Sequence, residues 1–87
     1  MNTDELASAI KRIGIPERMV VAGGFAEYAW CVDRDEEDGA WEVYYLERGD
    51  KNYLQRFDDE DQACCYMLGR LTYSQILAGL TWGESAQ

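Results

Sequence analysis

The chain has 87 residues, with 17 acidic against 8 basic side chains, no histidine and a net charge of −9. That length makes a single domain. The charge excludes a nucleic-acid binder of the phosphate-neutralising kind, disfavours an anionic membrane surface as partner, and favours rapid capture of a basic protein.

Three cysteines, Cys31, Cys64 and Cys65, form an odd set with two neighbours. The N-terminal residues MNTDELASAIKRIG carry no basic segment leading into an apolar run, and no stretch approaches the roughly 18 apolar residues of a membrane span. The expectation is a cytoplasmic chain with reduced thiols.

In chain order, a first helix starts at Asn2 or Thr3. Asp4 and Glu5 sit in its first turn, where carboxylates suit the helix dipole. Leu6, Ala9, Ile10 and Ile13 form one apolar stripe, Gly14 ends the helix and Pro16 prevents its restart. Arg18 to Ala22 is a short β-branched run, either a first strand or an extended approach to the sheet, broken by Gly23-Gly24.

Three alternating runs follow. Glu27–Asp33 sets Tyr28, Trp30 and Val32 against Ala29 and Cys31. Trp41–Glu47 sets Trp41, Val43 and Tyr45 against Glu42, Tyr44 and Leu46. Tyr53–Phe57 is the third strand. The turns between them are Asp33–Gly39 and Arg48–Asn52, and connections this short force antiparallel neighbours.

Asp59 then caps a second helix as the first residue of a D-x-x-Q box, with Glu60 and Asp61 in the first turn. Ala63, Cys64, Met67, Leu68 and Leu71 form its apolar stripe. Beyond Thr72 the apolar residues Ile76, Leu77 and Leu80 either continue the helix or form a separate turn, and residues 84–87 are expected to be a disordered tail.

Strands framed by helices predict an α+β fold over residues 1–83: two layers, a three- or four-stranded antiparallel meander with both helices on one face. Val32, Trp41, Val43 and Tyr45 are expected under the helices. Glu42 and Tyr44 are expected on an open face.

The candidate chemistry is thin. The acidic turn Asp33-Arg34-Asp35-Glu36-Glu37-Asp38-Gly39 begins like a calcium loop. Position six counted from Asp33 is Asp38 rather than glycine, and position twelve is Tyr44 rather than glutamate. Three cysteines without histidine do not supply four ligands at zinc spacing, so neither metal nor cofactor is expected. Paired carboxylates for acid–base work need a desolvating pocket, whereas these cluster in turns. No nucleophile elbow or P-loop is present, and the chain does not read as an enzyme. Tyr28, Trp30, Trp41, Tyr44, Tyr45, Tyr53 and Phe57 exceed what one face of a small sheet can cover. Those left exposed beside carboxylates would make a protein-binding surface.

Gly14-Ile15-Pro16-Glu17-Arg18, Trp41-Glu42-Val43-Tyr44-Tyr45, Glu47-Arg48-Gly49, and Phe57 leading into Glu60-Asp61 and Ala63-Cys64 resemble the small acidic immunity proteins of bacterial polymorphic-toxin systems, over about Ile13 to Leu71. The resemblance implies a protein that protects its producer by binding and occluding a cognate secreted toxin. An NAD glycohydrolase is the first partner to consider, because relatives of this kind often sit beside toxins that hydrolyse NAD. Such a toxin has a basic cleft that carboxylates fit. The expected contacts are Asp33, Asp35, Glu36, Glu37, Asp38, Glu42 and Tyr44, then Asp58 and Asp59. The alternative is an acidic adaptor or regulatory module for another basic protein. The chain alone is expected to be a monomer or a weak homodimer paired through exposed strand edges.

Overall fold

The computed structural model describes the backbone of residues 1–86 and the side chains of residues 1–78. The Leu80 side chain and Gln87 lie outside the residues so described, and of the expected disordered tail 84–87 the backbone of residues 84–86 is helical.

Helix α1 spans Thr3–Arg12. Its cap is a full capping box: Asn2 Oδ1 accepts from the N–H of Glu5 at 2.8 Å, and Glu5 Oε1 accepts from the N–H of Asn2 at 3.0 Å. Two orphan donors are thereby satisfied reciprocally. Gly14, at φ +82°, closes the helix in the left-handed conformation glycine adopts without strain. A single 3-10 turn, Glu17–Met19, leads into β1, Val20–Ala22.

Strands β2 (Ala29–Arg34), β3 (Trp41–Glu47) and β4 (Asp50–Phe57) pair in antiparallel succession. The sheet order is β1-β2-β3-β4, and β1 pairs with β2 in parallel, Val20 against Trp30. The fold is thus α+β, with a mixed four-stranded sheet rather than an all-antiparallel meander. The reason lies in length. Parallel neighbours ordinarily need a crossover of about a dozen residues or more. A three-residue strand spans only about 10 Å, and the residues between Ala22 and Ala29 can retrace that distance. The N–H groups of Gly23 and Gly24 both donate to the Val32 carbonyl, at 2.7 and 3.3 Å, which fixes where β1 leaves the sheet. The Tyr28 N–H returns to the Leu46 carbonyl at 2.7 Å.

The β3–β4 turn is tighter than the sequence suggests. Glu47 pairs with Asp50, so only Arg48 and Gly49 form the loop, at φ 52° and 79°. Two positive φ values define the type I′ turn that matches strand twist. Glu27 reaches across to accept from both N–H groups, at 2.8 and 3.0 Å. Farther along, Val43 pairs with Gln55 but Tyr45 pairs with Asn52, so Tyr53 and Leu54 both face Tyr44. This is a β-bulge, and Tyr53 occupies it at φ 59°.

Helix α2 runs Glu60–Ala86, one continuous element through Thr72. Asp59 Oδ1 accepts from the N–H of Gln62 at 2.7 Å, which is the Asp59 half of the expected box. The two helices lie side by side and point the same way: the Thr3 N–H donates to Glu60 at 2.8 Å near their N-termini, and Gln75 donates to the Ile13 carbonyl at 3.4 Å farther on. Their stripes meet the sheet in one core of Leu6, Ile10, Val20, Val32, Val43, Ala63, Cys64, Met67 and Leu71, with Trp41 packed against it.

The opposite sheet face is not open. Cys31, Tyr44 and Leu46 form a second buried cluster, over which the 23–28 loop folds. Cys31 Sγ lies 3.7 Å from the Ala26 carbonyl, and Phe25 and Glu27 line a cleft with Tyr44 and Leu46. The short parallel connection therefore doubles as a lid, and it buries the face that alternation alone leaves to solvent.

Candidate functional site

More than half of the chain's 17 acidic residues gather at one end of the molecule: Asp4 and Glu5 of α1, Asp35–Asp38 of the β2–β3 turn, and Asp58–Asp61 where β4 enters α2. Three features bring them together. Both helices begin there, and carboxylates offset their positive ends. Trp41 pairs with Phe57, which sets the turn beside the β4–α2 link. Arg56 then ties the two segments. Its Nη2 lies 3.1 Å from Asp35 and 2.5 Å from Asp38, and its Nε lies 3.4 Å from Glu42.

The turn itself is rigidly specified. The Asp35 N–H donates to the Ala40 carbonyl at 2.8 Å and the Gly39 N–H to the Asp35 carbonyl at 2.7 Å. Asp35 accepts from the Glu37 N–H and Asp38 from the Ala40 N–H, both at 2.9 Å, the side-chain turns these residues favour. The Ala40 N–H and then Arg56 hold the Asp38 carboxyl below its ordinary value of 3.8. Asp35 and Asp38 are thus internally engaged, and Glu36 and Glu37 stand exposed at the tip. Asp58 and Asp59 are exposed beside it, Asp59 partly spent on the helix cap.

The remaining expected contacts sit elsewhere. Asp33 is half-buried and accepts from the Arg34 N–H at 2.9 Å. Glu42 and Tyr44 are 6 % and 2 % exposed rather than open to solvent. Glu42 is a buried carboxylate held by Lys51 Nζ at 2.7 Å as well as by Arg56. The same lysine lies 4.9 Å from the Tyr44 ring centre. Burial drives the Tyr44 hydroxyl's pKa upward, helped by the charges of Cys31, Asp33 and Glu42. A hydrophobic-polar alternation cannot reveal this, because nothing in the 23–28 segment marks it as a lid.

Two arginines were not legible as organisers. Arg56 reads as one exposed residue of a strand. Arg70 lies one helical turn from Tyr66 and stacks its guanidinium 4.8 Å from the Trp30 ring centre and 5.5 Å from that of Tyr53. Trp30 also meets Tyr45 edge-on, with ring centres 5.6 Å apart. Of the surplus aromatics, Tyr28 and Tyr53 remain exposed, both at left-handed φ.

A hollow of about 410 Å³ runs between α1 and the outer edge of β1. It contains none of the expected site residues. No three metal-ligating side chains converge among the described residues, and no helix among them is long and apolar enough to cross a membrane. Compared with known proteins, the chain matches no family model, no curated protein and no solved structure.

Proposed function

We propose that this chain is a stoichiometric protein-binding inhibitor of the immunity type, which protects the cell that makes it by occluding the substrate cleft of a cognate bacterial toxin. An NAD-hydrolysing toxin is the first partner to test. The reading rests on the sequence resemblance and on one observation: the acidic end is pre-organised. Arg56 and two side-chain turns hold the β2–β3 loop so that Glu36 and Glu37 project from a fixed frame, with Asp58 and Asp59 beside them. A rigid carboxylate array loses little entropy on binding, and its field raises the encounter rate with a basic cleft. The mechanism is steric and electrostatic exclusion of an anionic substrate, without catalysis.

The test is co-expression with the toxin domain encoded beside it, following growth and cellular NAD, together with association kinetics of the purified pair. Rescue with NAD preserved is the expected result. Glu36→Gln combined with Glu37→Gln leaves the Arg56 clamp intact and should slow association roughly tenfold at low salt and flatten its salt dependence. Unchanged kinetics would move the interface away from this end. Toxicity that the chain cannot relieve would end the immunity reading.

A further inference from the structure

We infer that the cleft under the 23–28 loop is a socket for an arginine side chain of a basic protein partner. The inference goes beyond the inhibitor reading, because the cleft lies on the lidded face of the sheet, apart from the Glu36–Glu37 tip, and any basic protein can fill it. Phe25, Glu27, Asp33, Tyr44, Leu46 and Lys51 line it, around about 300 Å³. That volume stands at the bottom of the range of small-molecule sites and suits one long side chain. Charge selects a cation. Neither Glu27 nor Asp33 is in an ion pair among the described residues. Glu27 accepts from the N–H groups of Arg48 and Gly49 at 2.8 and 3.0 Å, and Asp33 Oδ1 from that of Arg34 at 2.9 Å. Backbone donors thus fix both carboxylates in place, with no cation beside either. The cleft's own cation, Lys51, is turned to Glu42, its Nζ 2.7 Å from a carboxylate whose side chain is 8 % exposed. The other hollows differ on this point. Between α1 and β1 the one carboxylate, Glu17, pairs with Lys11 at 3.6 Å, and the hollow between Ile15 and Leu71 has no charged lining.

The apolar lining selects arginine among cations. Leu46 is buried at the floor, and Phe25 leaves its ring 68 % exposed at the wall. The Tyr44 ring already has Lys51 Nζ 4.9 Å from its centre. A guanidinium is planar and weakly hydrated, so it can stack on an aromatic ring while its fork bonds a carboxylate. A lysine ammonium would have to shed a tighter hydration shell to enter the same place. The surroundings select a protein as the source. Tyr28 of the same loop is 57 % exposed, so the aromatic surface around the cleft is wider than a small free cation covers. Exposed aromatics around a pocket for arginine have the composition of an interface hot spot.

The experiment is an NMR titration of the full chain, labelled with nitrogen-15, at fixed ionic strength. The probes are acetyl-Leu-Arg-Leu-amide, its citrulline counterpart and spermidine. Citrulline keeps the shape without the charge, and spermidine carries charge without the plane or the apolar flanks. The arginine peptide should shift the amides of Phe25, Glu27, Asp33, Leu46 and Lys51 and saturate with a Kd on the order of 1 mM. The other two probes should bind there at least about tenfold more weakly. Asp33→Asn keeps an oxygen for the Arg34 N–H and should weaken the arginine peptide about tenfold. Phe25→Ala, at an exposed side chain, should weaken it about threefold. Shifts centred on Glu36 and Glu37, which mean attraction by charge alone, overturn the inference. So do equal binding of spermidine or the citrulline peptide, indifference to either variant, or no saturable shift up to about 20 mM. Each outcome is read on the chain without a toxin, so failure here leaves the inhibitor reading standing.

Discussion

Replacing Lys51 with methionine removes the closest partner of a buried carboxylate and the cation over the Tyr44 ring. The methionine retains the aliphatic stem beside Tyr44, while Glu42, its side chain 8 % exposed, loses an ammonium 2.7 Å away. Arg56 remains, but at 3.4 Å and engaged with Asp35 and Asp38 as well. Breaking a fully buried pair costs roughly 3–5 kcal/mol, whereas an exposed pair contributes about 0–1 kcal/mol. Lys51 is 45 % exposed, so the loss should fall between these, about 1.5–2 kcal/mol. In a domain of this size that lowers Tm by roughly 6–16 °C. Part of the change belongs to the cation over the Tyr44 ring, so the pair itself is isolated by a cycle with Glu42→Gln, read by urea denaturation. A coupling of about 1–1.5 kcal/mol is expected, and a value under about 0.3 kcal/mol, the limit of simple additivity, would refute the ion pair as the support of this site. Glu42→Gln should leave association with a toxin unchanged, since the carboxylate does not reach the surface.

Two further outcomes follow from the same geometry. Burial pushes the Cys64 thiol up to about 11 and raises that of Cys31. Cys31 and Cys64 are also buried whereas Cys65 is exposed, so a maleimide at mild pH should modify Cys65 alone in the folded chain and all three thiols in denaturant, and a second label on the folded chain would contradict the packing. Asp38→Asn keeps an oxygen to accept from the Ala40 N–H but loses the charge facing Arg56. Because the folded carboxyl titrates below its ordinary value of 3.8, its stabilisation is present above that pH and is lost as pH falls through the folded value. The wild type should thus melt higher than the variant at neutral pH and converge with it in acid, and a gap that persists at pH 2 would show that the ion pair is not its cause.

Much of the architecture is written in local pattern. The stripe of Leu6 and Ile10, the stop at Gly14, the alternation from Trp41 to Glu47 and the stripe of Ala63, Cys64, Met67 and Leu71 all report single elements, and each element forms where its period predicts. The faces of Val32 and Val43 follow from the same period. What escaped is non-local. The direction of β1 depends on where Gly23 and Gly24 find an acceptor, and that acceptor is nine residues away on β2. The burial of Tyr44 and Glu42 depends on a loop whose own composition, Gly-Gly-Phe-Ala-Glu-Tyr, reads as ordinary connection. The capping box at Asn2 was within reach, since Glu5 stands three residues on. Of the acidic site, residue type and position in a turn were legible. The division of labour was not, because it depends on Arg56, a residue distant in the chain, reaching Asp35 and Asp38 in addition to their local side-chain turns.

Both edges of the sheet are blunted against pairing with a further strand. An exposed edge strand is a template for another chain, and folded proteins blunt such edges with shortness, charge or bulges. Here β1 is three residues long. The other edge, β4, carries Lys51 and Arg56 and is bent by the bulge opposite Tyr44, with Tyr53 at φ 59°. A tyrosine pays for that conformation, roughly 1–2 kcal/mol against the usual backbone, and nothing in the Arg48-Gly49 turn requires it. The cost has a return in geometry: the bulge carries Tyr53 to Trp30 and Arg70, with ring centres 6.0 Å apart in the first pair. The same distortion interrupts the flat ladder that a second β4 would need. With one edge too short and the other bent, strand pairing between copies loses its template.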